Sequence, residues 1–338
     1  FNPMISCVYE NGGMITTFSG DSFTALFQIE AQSADAYHSA MYCAAHIQEI
    51  VSNREVQQTP VGEFKISVRV GISAGEASWG IITSEDHNRA AYYFRGTAIE
   101  GCIQSQMVAA DGEIILDQGT ADVLSGMIET EPVDAHYRFV QARQEIPSRT
   151  LLVEEAPDPE SSAYFFPKSI LYQNQSGEFR HIVNMFISLP TVRTEPQLEI
   201  FMRALFDLQN RYGGLLNRLD FGDKGSHLLL FWGAPVTYEN DIGRALNLIL
   251  ALQTETSIPI KAGITYRIAH AGFIGNRIRE EYTCYGEGVN LAARFMTKAG
   301  RGEVWVDEEI TKRVGRYFDI ELEGEQEFKG FDEPQKYY

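Results

Sequence analysis

Three polar residues stand where their side chains can do chemistry. Asp21 lies at the tip of a hairpin predicted for "GGMITTFSGDSFTALF", residues 12–27. A turn accepts aspartate on structural grounds alone, because the carboxylate can bond the turn backbone. Asn290 and Arg294 lie four residues apart in "GVNLAARF". On a helix they share one face and can reach one ligand together, although a solvated helix face is the alternative interpretation.

The elements that carry these residues occur twice along the chain. Residues 1–27 and "LEIFMRALFDLQNRYGGLLNRLDFGDKGSHLLLFWG" both show an apolar helix pattern, Gly-Gly, a strand, Gly-Asp and another strand. Further on, "EFKISVRVGISAGEASWG" and "SIPIKAGITYRIAHAGFIG" each start the same series of strand, hairpin, helix and strand. We predict a first domain over 1–150, a linker over 151–178 and a second domain over 179–338.

Strands and amphipathic helices alternate with short turns in both copies, which predicts an α/β fold with a mixed sheet that carries helices. The second copy has an apolar strand, "RHIVNMFISLP", before its first helix. The first copy begins with the helix, so we expect its counterpart strand to precede Phe1. The first domain is therefore predicted to lack its first strand.

Composition excludes several classes of protein. The 338 residues carry a formal charge of −18, which argues against nucleic acid as a partner. No apolar run approaches the roughly 18 to 20 residues that span a bilayer. Four scattered cysteines without metal-ligand spacing favour a reducing, cytoplasmic location, and seven isolated histidines give no zinc pattern.

The repeated pattern resembles the class III nucleotidyl cyclases. Gly-Asp at a hairpin tip, "VGISAG" at a strand end and "YTCYGEGVNLAARF" carry the resemblance. "DKGSHLLLFWGAP" and "FISL" are most similar to the soluble, bicarbonate-responsive type of adenylyl cyclase and its bacterial relatives. The resemblance implies two tandem α+β, ferredoxin-like domains, C1 and C2. It also implies that they form a pseudo-twofold intramolecular pair with the active site at their interface.

The resemblance implies that two Mg²⁺ or Mn²⁺ ions assist attack of the ribose 3'-hydroxyl of ATP on its α-phosphate. Asp21 matches the hairpin ligand of this metal site. The second metal aspartate belongs to the first strand and is expected upstream of Phe1. In the second copy that strand position is Ser188, so Asp223 lacks a partner and is interpreted as a turn residue. One catalytic site is expected.

The family pattern places Asn290 at the ribose and Arg294 at the α-phosphate, where a guanidinium fork can follow the developing charge. The matching residues of the first copy are Glu100 and Gln104. A carboxylate there would repel a triphosphate. The pseudo-equivalent pocket is therefore expected not to turn over nucleotide.

Base choice is assigned by the resemblance to Lys224 and Thr283, with the backbone of Cys284 nearby. A lysine donor and a threonine oxygen complement N1 and N6 of adenine, whereas the N1 donor of guanine would face the lysine. ATP is therefore the expected substrate. A shift of one residue would instead place Cys284 where guanylyl enzymes often have a cysteine. Lys329 in "FKGFDEP" resembles a late phosphate-contacting lysine, although a solvated lysine is the alternative.

Bicarbonate activation is not expected. In bicarbonate-responsive relatives the pseudo-equivalent pocket carries a lysine and an arginine, and here Thr17 and Ile103 hold those positions. Arg95 nearby could substitute for the missing cations. Further regulatory domains are expected in the full-length protein, and the fragment alone is expected to be inactive. A degenerate cyclase pair that serves as a regulatory or dimerisation module is the main alternative. A diguanylate-forming enzyme is disfavoured, since Gly-Gly and Gly-Asp are separated by a whole strand.

Overall fold

The computed structural model describes residues 1–30, 33–53, 56–59, 62–149, 159–172, 177–192, 194–222 and 225–338. The chain forms two compact units. Unit 1 comprises Phe1–Ser78, Phe94–Ala156 and Gly275–Glu281. Unit 2 comprises Trp79–Tyr93, Pro157–Ile274 and Tyr282–Tyr338. Each unit therefore contains a short segment that lies, in the sequence, within the other half. The domain limits given above stay a prediction.

The first half of the chain contains four helices and ten strands in its described residues. In chain order they are α1 Asn2–Glu10, β1 Gly13–Ser19, β2 Ser22–Phe27, α2 Asp35–Ser52, β3 Val56–Thr59, β4 Gly62–Lys65, β5 Val70–Ile72, β6 Ser78–Thr83, β7 Ala90–Arg95, α3 Thr97–Val108, β8 Ile114–Leu116, α4 Gln118–Leu124, β9 Ile128–Val133 and β10 His136–Ala142.

The second half starts with two short helices inside the predicted linker. Residues 151–158 and 173–176 of this linker lie outside the described residues. The elements are α5 Pro159–Ser162, α6 Lys168–Leu171, β11 Glu178–Ser188, α7 Glu195–Tyr212, β12 Leu215–Gly222, β13 Gly225–Trp232, α8 Asp241–Thr256, β14 Lys261–Gly275, β15 Glu280–Tyr285, α9 Glu287–Lys298, β16 Val304–Val306, α10 Glu308–Val314, β17 Gly324–Gln326 and β18 Gln335–Tyr337.

A six-stranded sheet forms the centre of unit 2. Only the sheet residues that fall within 275–281 are assigned to unit 1. Its order is β12-β13-β11-β14-β15, and β16 pairs with β14 in parallel. The central strand β11 is antiparallel to both neighbours and buried over its last seven residues. Such a continuous apolar run requires cover on both faces of the sheet. Helices α7, α8 and α10 pack in the core on one face, and α9 packs in the core on the other.

The described strands of unit 1 do not form one continuous sheet. The hairpin β1–β2 stands apart from the four-stranded sheet β5-β8-β10-β9. No described strand of unit 1 is the counterpart of β11, and the absence of a first strand from the first domain stays a prediction. The matching strands differ in burial, since β13 is buried after its first residue whereas every residue of β2 is partly or fully exposed.

Matching positions of the two halves adopt matching local geometry. Gly96 and Gly286 precede α3 and α9 with φ of 136° and 157°, a region that favours glycine. Asp117 accepts a hydrogen bond from the Thr120 amide at 2.7 Å and starts α4, while Asp307 begins α10 in the same way. The mixed α/β fold and the tandem repeat predicted from the sequence are thus confirmed at the level of individual elements.

Trp79–Tyr93 of unit 2 and Gly275–Glu281 of unit 1 are the exchanged segments, and each is held by specific contacts within its unit. In unit 2, the Tyr93 hydroxyl donates to Glu195 Oε1 at 2.5 Å, and the Tyr93 ring lies 5.4 Å from that of Phe221. In unit 1, Asn276 Nδ2 donates to the Asn2 carbonyl at 3.2 Å. These segments are therefore integral to the units in which they lie.

Close packing of α9 on β14 depends on Gly263. A Cβ at this position would collide with the Ala292 carbonyl oxygen and the Met296 amide nitrogen of α9. We expect Gly263→Ala to lower the stability of unit 2 by about 1–3 kcal/mol, because the helix backbone must move. The midpoint of urea unfolding, followed by circular dichroism, measures the effect.

Gly126→Ala is the matched control for this prediction. A Cβ at Gly126 meets no atom within 4 Å. Its unfolding midpoint should stay at the wild-type value. An equal midpoint for both variants would contradict the close approach of α9 to β14.

Across the part of the chain that the structure describes, no helix is both long and apolar enough to pass through a membrane.

Candidate functional site

Helix α9 carries two of the predicted site residues and is fixed at its first turn by a buried polar chain. Asn184 Nδ2 of β11 donates to Thr265 Oγ1 at 3.2 Å, and that hydroxyl donates to the Gly288 carbonyl at 2.8 Å. Asn184 and Thr265 are fully buried. Because buried polar groups are costly to leave unpaired, this chain holds the start of α9 at one register on the sheet.

Asn290 and Arg294 lie on the solvent face of this anchored helix. Both are exposed, while Val289, Leu291 and Phe295 beside them are buried. Neither polar side chain makes a hydrogen bond or ion pair to the described part of the chain. The two groups are one helical turn apart on one helix face, as their spacing in the sequence predicted, and their binding to a ligand stays a prediction.

The matching face of α3 has different chemistry. Glu100 and Gln104 occupy its equivalent positions, and both are exposed. A carboxylate and a neutral amide thus replace the amide and guanidinium of α9. The two helices share one geometry but not one ligand preference.

A second, partly buried network lies against the start of α9. Arg267 Nε donates to Asp307 Oδ2 at 3.2 Å, and its Nη2 donates to Gln335 Oε1 at 2.9 Å. Burial raises the pKa of Asp307 to about 6, while the hydrogen bond from the Ile310 amide and the charge of Arg267 act in the opposite direction. The stem of Arg267 lies close to Gly288, since a Cβ there would be 2.9 Å from the Arg267 Cβ. Sequence reasoning missed this pair.

Lys329 stands in a turn that is anchored to α9. The preceding residue, Phe328, is 5% exposed, and its ring lies 5.5 Å from the ring of Phe295. Lys329 itself is exposed and has no hydrogen-bond or ion-pair partner among the described residues. The structure therefore brings the turn of Lys329 to the helix of Asn290 and Arg294.

Thr283 and Cys284 point to opposite faces of β15, because side chains alternate along a strand. Cys284 lies in the core cluster beneath α9 with Tyr282 and is 3% exposed. Burial raises the pKa of its thiol above the ordinary value, so the thiol stays neutral. Thr283 is directed instead toward β12, where its hydroxyl donates to Asn217 Oδ1 at 3.0 Å.

Asn217 is a residue that sequence reasoning missed. Its Nδ2 donates to the Tyr282 carbonyl at 2.8 Å, so its amide joins β12 to two consecutive residues of β15. The available signal was a polar residue inside the apolar stretch "GGLLNRLDF". That signal is weak, because a polar residue is equally common at an exposed strand position that makes no such bridge.

Lys224 and Asp223 lie outside the described residues. The strands on both sides of their turn are described, and Gly222 pairs with Gly225. The assignment of Lys224 to adenine and of Asp223 to the turn stays a prediction.

Asp21 is exposed in the turn between β1 and β2 of unit 1. That turn is closed by a hydrogen bond from Ser22 Oγ to the Ser19 carbonyl at 3.0 Å. The Asp21 carboxylate makes no hydrogen bond or ion pair with the described residues, so bonding of the turn backbone does not account for it.

As a hard oxygen ligand, Asp21 fits a divalent ion, but it supplies only one ligand side chain. The described ranges contain no group of three or more His, Cys, Asp or Glu residues that could hold a metal ion. A metal site at this turn therefore needs ligands in addition to Asp21, from substrate phosphates, water or another carboxylate.

Comparison with known proteins finds similarity to nucleotidyl cyclases. Residues 244–338, which include Thr283, α9 and Lys329, match the family model described as the adenylate and guanylate cyclase catalytic domain. Adenylate cyclase type 10 of Homo sapiens is 22% identical over 362 residues, which cover 87% of this chain and 21% of that protein. The same enzyme of Oryctolagus cuniculus is 24% identical over 350 residues, with the same coverage.

A shorter match is 31% identical over 134 residues to an uncharacterized protein of Mycobacterium bovis, covering 35% of this chain and 23% of that protein. Among solved structures, the adenylyl cyclase CyaB from P. aeruginosa aligns with a TM-score of 0.44 and 19% identity, covering 48% of this chain and 95% of that one.

The chain spans about a fifth of the length of the adenylate cyclases that it matches. The family match falls on the segment that carries Asn290 and Arg294, and the longer alignments extend through both halves of the repeat. The chain is therefore similar to adenylate and guanylate cyclases, and over residues 244–338 it matches the model of their catalytic domain.

Proposed function

We propose that this chain is the catalytic module of an adenylyl cyclase, which converts ATP to 3',5'-cyclic AMP and pyrophosphate. The observation that carries the proposal is the face of α9. Asn290 and Arg294 are exposed there without a partner in the described chain, on a helix whose start is fixed by buried hydrogen bonds. A rigid helix that presents an amide and a guanidinium is suited to hold a nucleotide in one orientation.

In this proposal Arg294 binds the α-phosphate and Asn290 orients the ribose. The reaction forms a bond from the 3'-oxygen to the α-phosphorus as the 3'-hydroxyl gives up its proton to solvent, and it breaks the bond from that phosphorus to the bridging oxygen, which leaves with pyrophosphate. The guanidinium donates hydrogen bonds to the phosphoryl oxygens, whose charge changes during this exchange. In this role Arg294 acts through its fork of hydrogen-bond donors, without a proton transfer.

ATP is proposed over GTP because the base-contacting residues match adenine. Lys224 would donate to N1, and Thr283 would accept from the N6 amino group. The orientation of β15 supports this assignment, since Thr283 faces Asn217 while Cys284 lies in the core. The alternative in which Cys284 reads guanine would require its buried side chain to leave that core.

Class III cyclases generally use divalent metal ions, and we assign Asp21 as one ligand of Mg²⁺ or Mn²⁺. When bound, the ions would neutralise the phosphates and lower the pKa of the 3'-hydroxyl. Asp21 would hold them from the turn between β1 and β2, while a second carboxylate comes from the strand predicted before Phe1. Lys329 is proposed to contact the phosphates of the nucleotide.

The two domains are proposed to pair head to tail, so that one contributes Asp21 and the other contributes α9. The pseudo-equivalent site would carry Glu100 in place of Asn290, and it is proposed not to turn over nucleotide. We further propose that the full-length protein is cytoplasmic and carries regulatory domains beyond this chain.

The proposal is tested by measuring cyclic AMP and pyrophosphate formed from ATP with Mg²⁺ or Mn²⁺. We expect a chain extended at its N-terminus through the predicted strand to form both products in equal amounts. The 338-residue chain alone should form little or no cyclic AMP, because Asp21 lacks its partner carboxylate. Robust turnover by the shorter chain would contradict the metal assignment, and inactivity of both would contradict the function.

The second candidate function is a non-catalytic cyclase pair that serves as a regulatory or dimerisation module. The divided sheet of unit 1, with β2 partly exposed, favours it. An extended chain that binds ATP tightly but forms no cyclic AMP with either metal would support this alternative. Product formation at an ordinary enzymatic rate would exclude it.

A further inference from the structure

Asn217 occupies a β-bulge on the strand that faces Thr283. On β12, Leu216 pairs with Leu230 and Arg218 pairs with Leu229, so Asn217 is an extra residue between two consecutive pairs. A bulge bends the strand and re-aims the side chain of the residue that it inserts. Here the re-aimed amide reaches β15 and bonds to the Tyr282 carbonyl and the Thr283 hydroxyl.

These two hydrogen bonds have only one consistent polarity. The Tyr282 carbonyl can only accept, so the amide must direct its Nδ2 donors toward it, at 2.8 Å. The Oδ1 atom then faces Thr283, and because an amide oxygen can only accept, the Thr283 hydroxyl must be the donor, at 3.0 Å. A flipped Asn217 amide would place its Oδ1 atom against the Tyr282 carbonyl oxygen, and neither oxygen can donate.

The hydroxyl proton of Thr283 is therefore committed to Asn217. The Thr283 oxygen keeps lone pairs but has no hydrogen left to donate, so a group that bonds to it must be a donor. Thr283 is only 8% exposed, which makes a mismatched contact costly, because water cannot compensate for it.

We infer that Asn217 is a positioning residue for base selection, which fixes the Thr283 hydroxyl as an acceptor that takes the 6-amino group of adenine and rejects the 6-oxo group of guanine. This inference rests on the proposed function, because it takes Thr283 as the residue that reads position 6 of the purine. It adds a selection step that is separate from the Lys224 contact. Asn217 itself touches no reacting atom.

The first half of the chain shows that the bulge does not require this bridge. In the hairpin β1–β2, Thr16 holds the same bulge position, between Ile15 and Thr17. Its hydroxyl donates to the Thr24 carbonyl at 3.2 Å, within its own hairpin. Threonine is therefore compatible with the bulge, whereas the bond to a neighbouring strand is a property of asparagine at this place.

This comparison supplies the test variant. Asn217→Thr keeps a residue that the bulge accepts but removes the acceptor for Thr283, so the freed hydroxyl can donate to a 6-oxo group. Asn217→Asp keeps an oxygen that accepts from Thr283 but sets its second oxygen against the Tyr282 carbonyl, so it separates the polarity of the Thr283 contact from the bond to Tyr282. The measured quantity is the ratio of kcat/KM for ATP to kcat/KM for GTP, in the chain extended through the predicted first strand.

We expect Asn217→Thr to lower this ratio on the order of tenfold, since one hydrogen-bond mismatch is relieved for guanine and one acceptor is weakened for adenine. Asn217→Asp should keep the wild-type ratio, whatever its overall rate. Thr283→Val removes the oxygen and should lower the ratio as well. A purely structural role of Asn217 would reduce the rates with ATP and GTP together and leave the ratio unchanged, and this result would overturn the inference.

Binding separates this inference from the proposed function. If no protein cyclises either nucleotide, the proposed function fails, and the preference is measured instead by displacing a fluorescent methylanthraniloyl-ATP with ATP or GTP. A wild-type preference for ATP that Asn217→Thr loses and Asn217→Asp retains would support the inference even then. An equal preference in all three proteins would overturn it.

Discussion

Replacing Arg294 by alanine in the extended chain is expected to lower the kcat for the proposed cyclic AMP formation on the order of 10²-fold or more, as removal of a transition-state donor does. The KM for ATP should change far less, because the guanidinium is proposed to act mainly on charge that changes during the reaction. The side chain is exposed and has no partner in the described chain, so its loss should leave the fold intact. Radiolabelled ATP and a chromatographic assay of cyclic AMP measure the effect.

Two further variants make this result specific. Arg294→Lys keeps the charge but not the fork of donors, so we expect only partial recovery of kcat. Gln104→Ala changes the matching exposed residue of α3 and should leave the rate unchanged, since that helix is proposed to contact no substrate. A rate for Arg294→Ala within a few-fold of wild type would contradict the catalytic role, and a comparable loss in Gln104→Ala would point to a general effect on the protein.

Asp21→Asn should produce a loss of at least about 10²-fold in cyclic AMP formation, because metal assistance is worth several kcal/mol and each 1.36 kcal/mol is a factor of ten. Asparagine preserves the size of the side chain and its ability to sit in a turn. The substitution therefore removes the charge of the proposed metal ligand without a packing change. We expect the remaining activity to require a higher Mg²⁺ or Mn²⁺ concentration, so the metal dependence of the rate is the diagnostic measurement.

Asp223→Asn is the matched control, since Asp223 holds the equivalent Gly-Asp position of the second copy. Ser188 replaces its potential partner carboxylate, so Asp223 is interpreted as a turn residue and its replacement should leave the metal dependence unchanged. Equal losses in the two variants would refute the division of labour between the hairpins. An unchanged metal dependence in Asp21→Asn would refute the assignment of Asp21.

Much of the fold could be predicted because its signals are local. Glycines before α3 and α9, aspartates that cap α4 and α10, and the spacing of Asn290 and Arg294 depend on a few consecutive residues. The division of the described strands of unit 1 into separate sheets was not predicted, because strand patterns do not state which strands pair. The segments exchanged between the units could not be predicted, because nothing in a strand pattern states which core the strand joins.

The sequence by itself determined the family resemblance, the tandem repeat and the residue types of the candidate site. Only the tertiary structure decided that Thr283, and not Cys284, faces β12, and that Asn217 is its partner. The physical reason is that the side of a strand and the reach of a bulge depend on pairing between residues 65 or more positions apart, such as Asn217 and Tyr282. Such pairing leaves no local pattern, whereas helix spacing and glycine turns do.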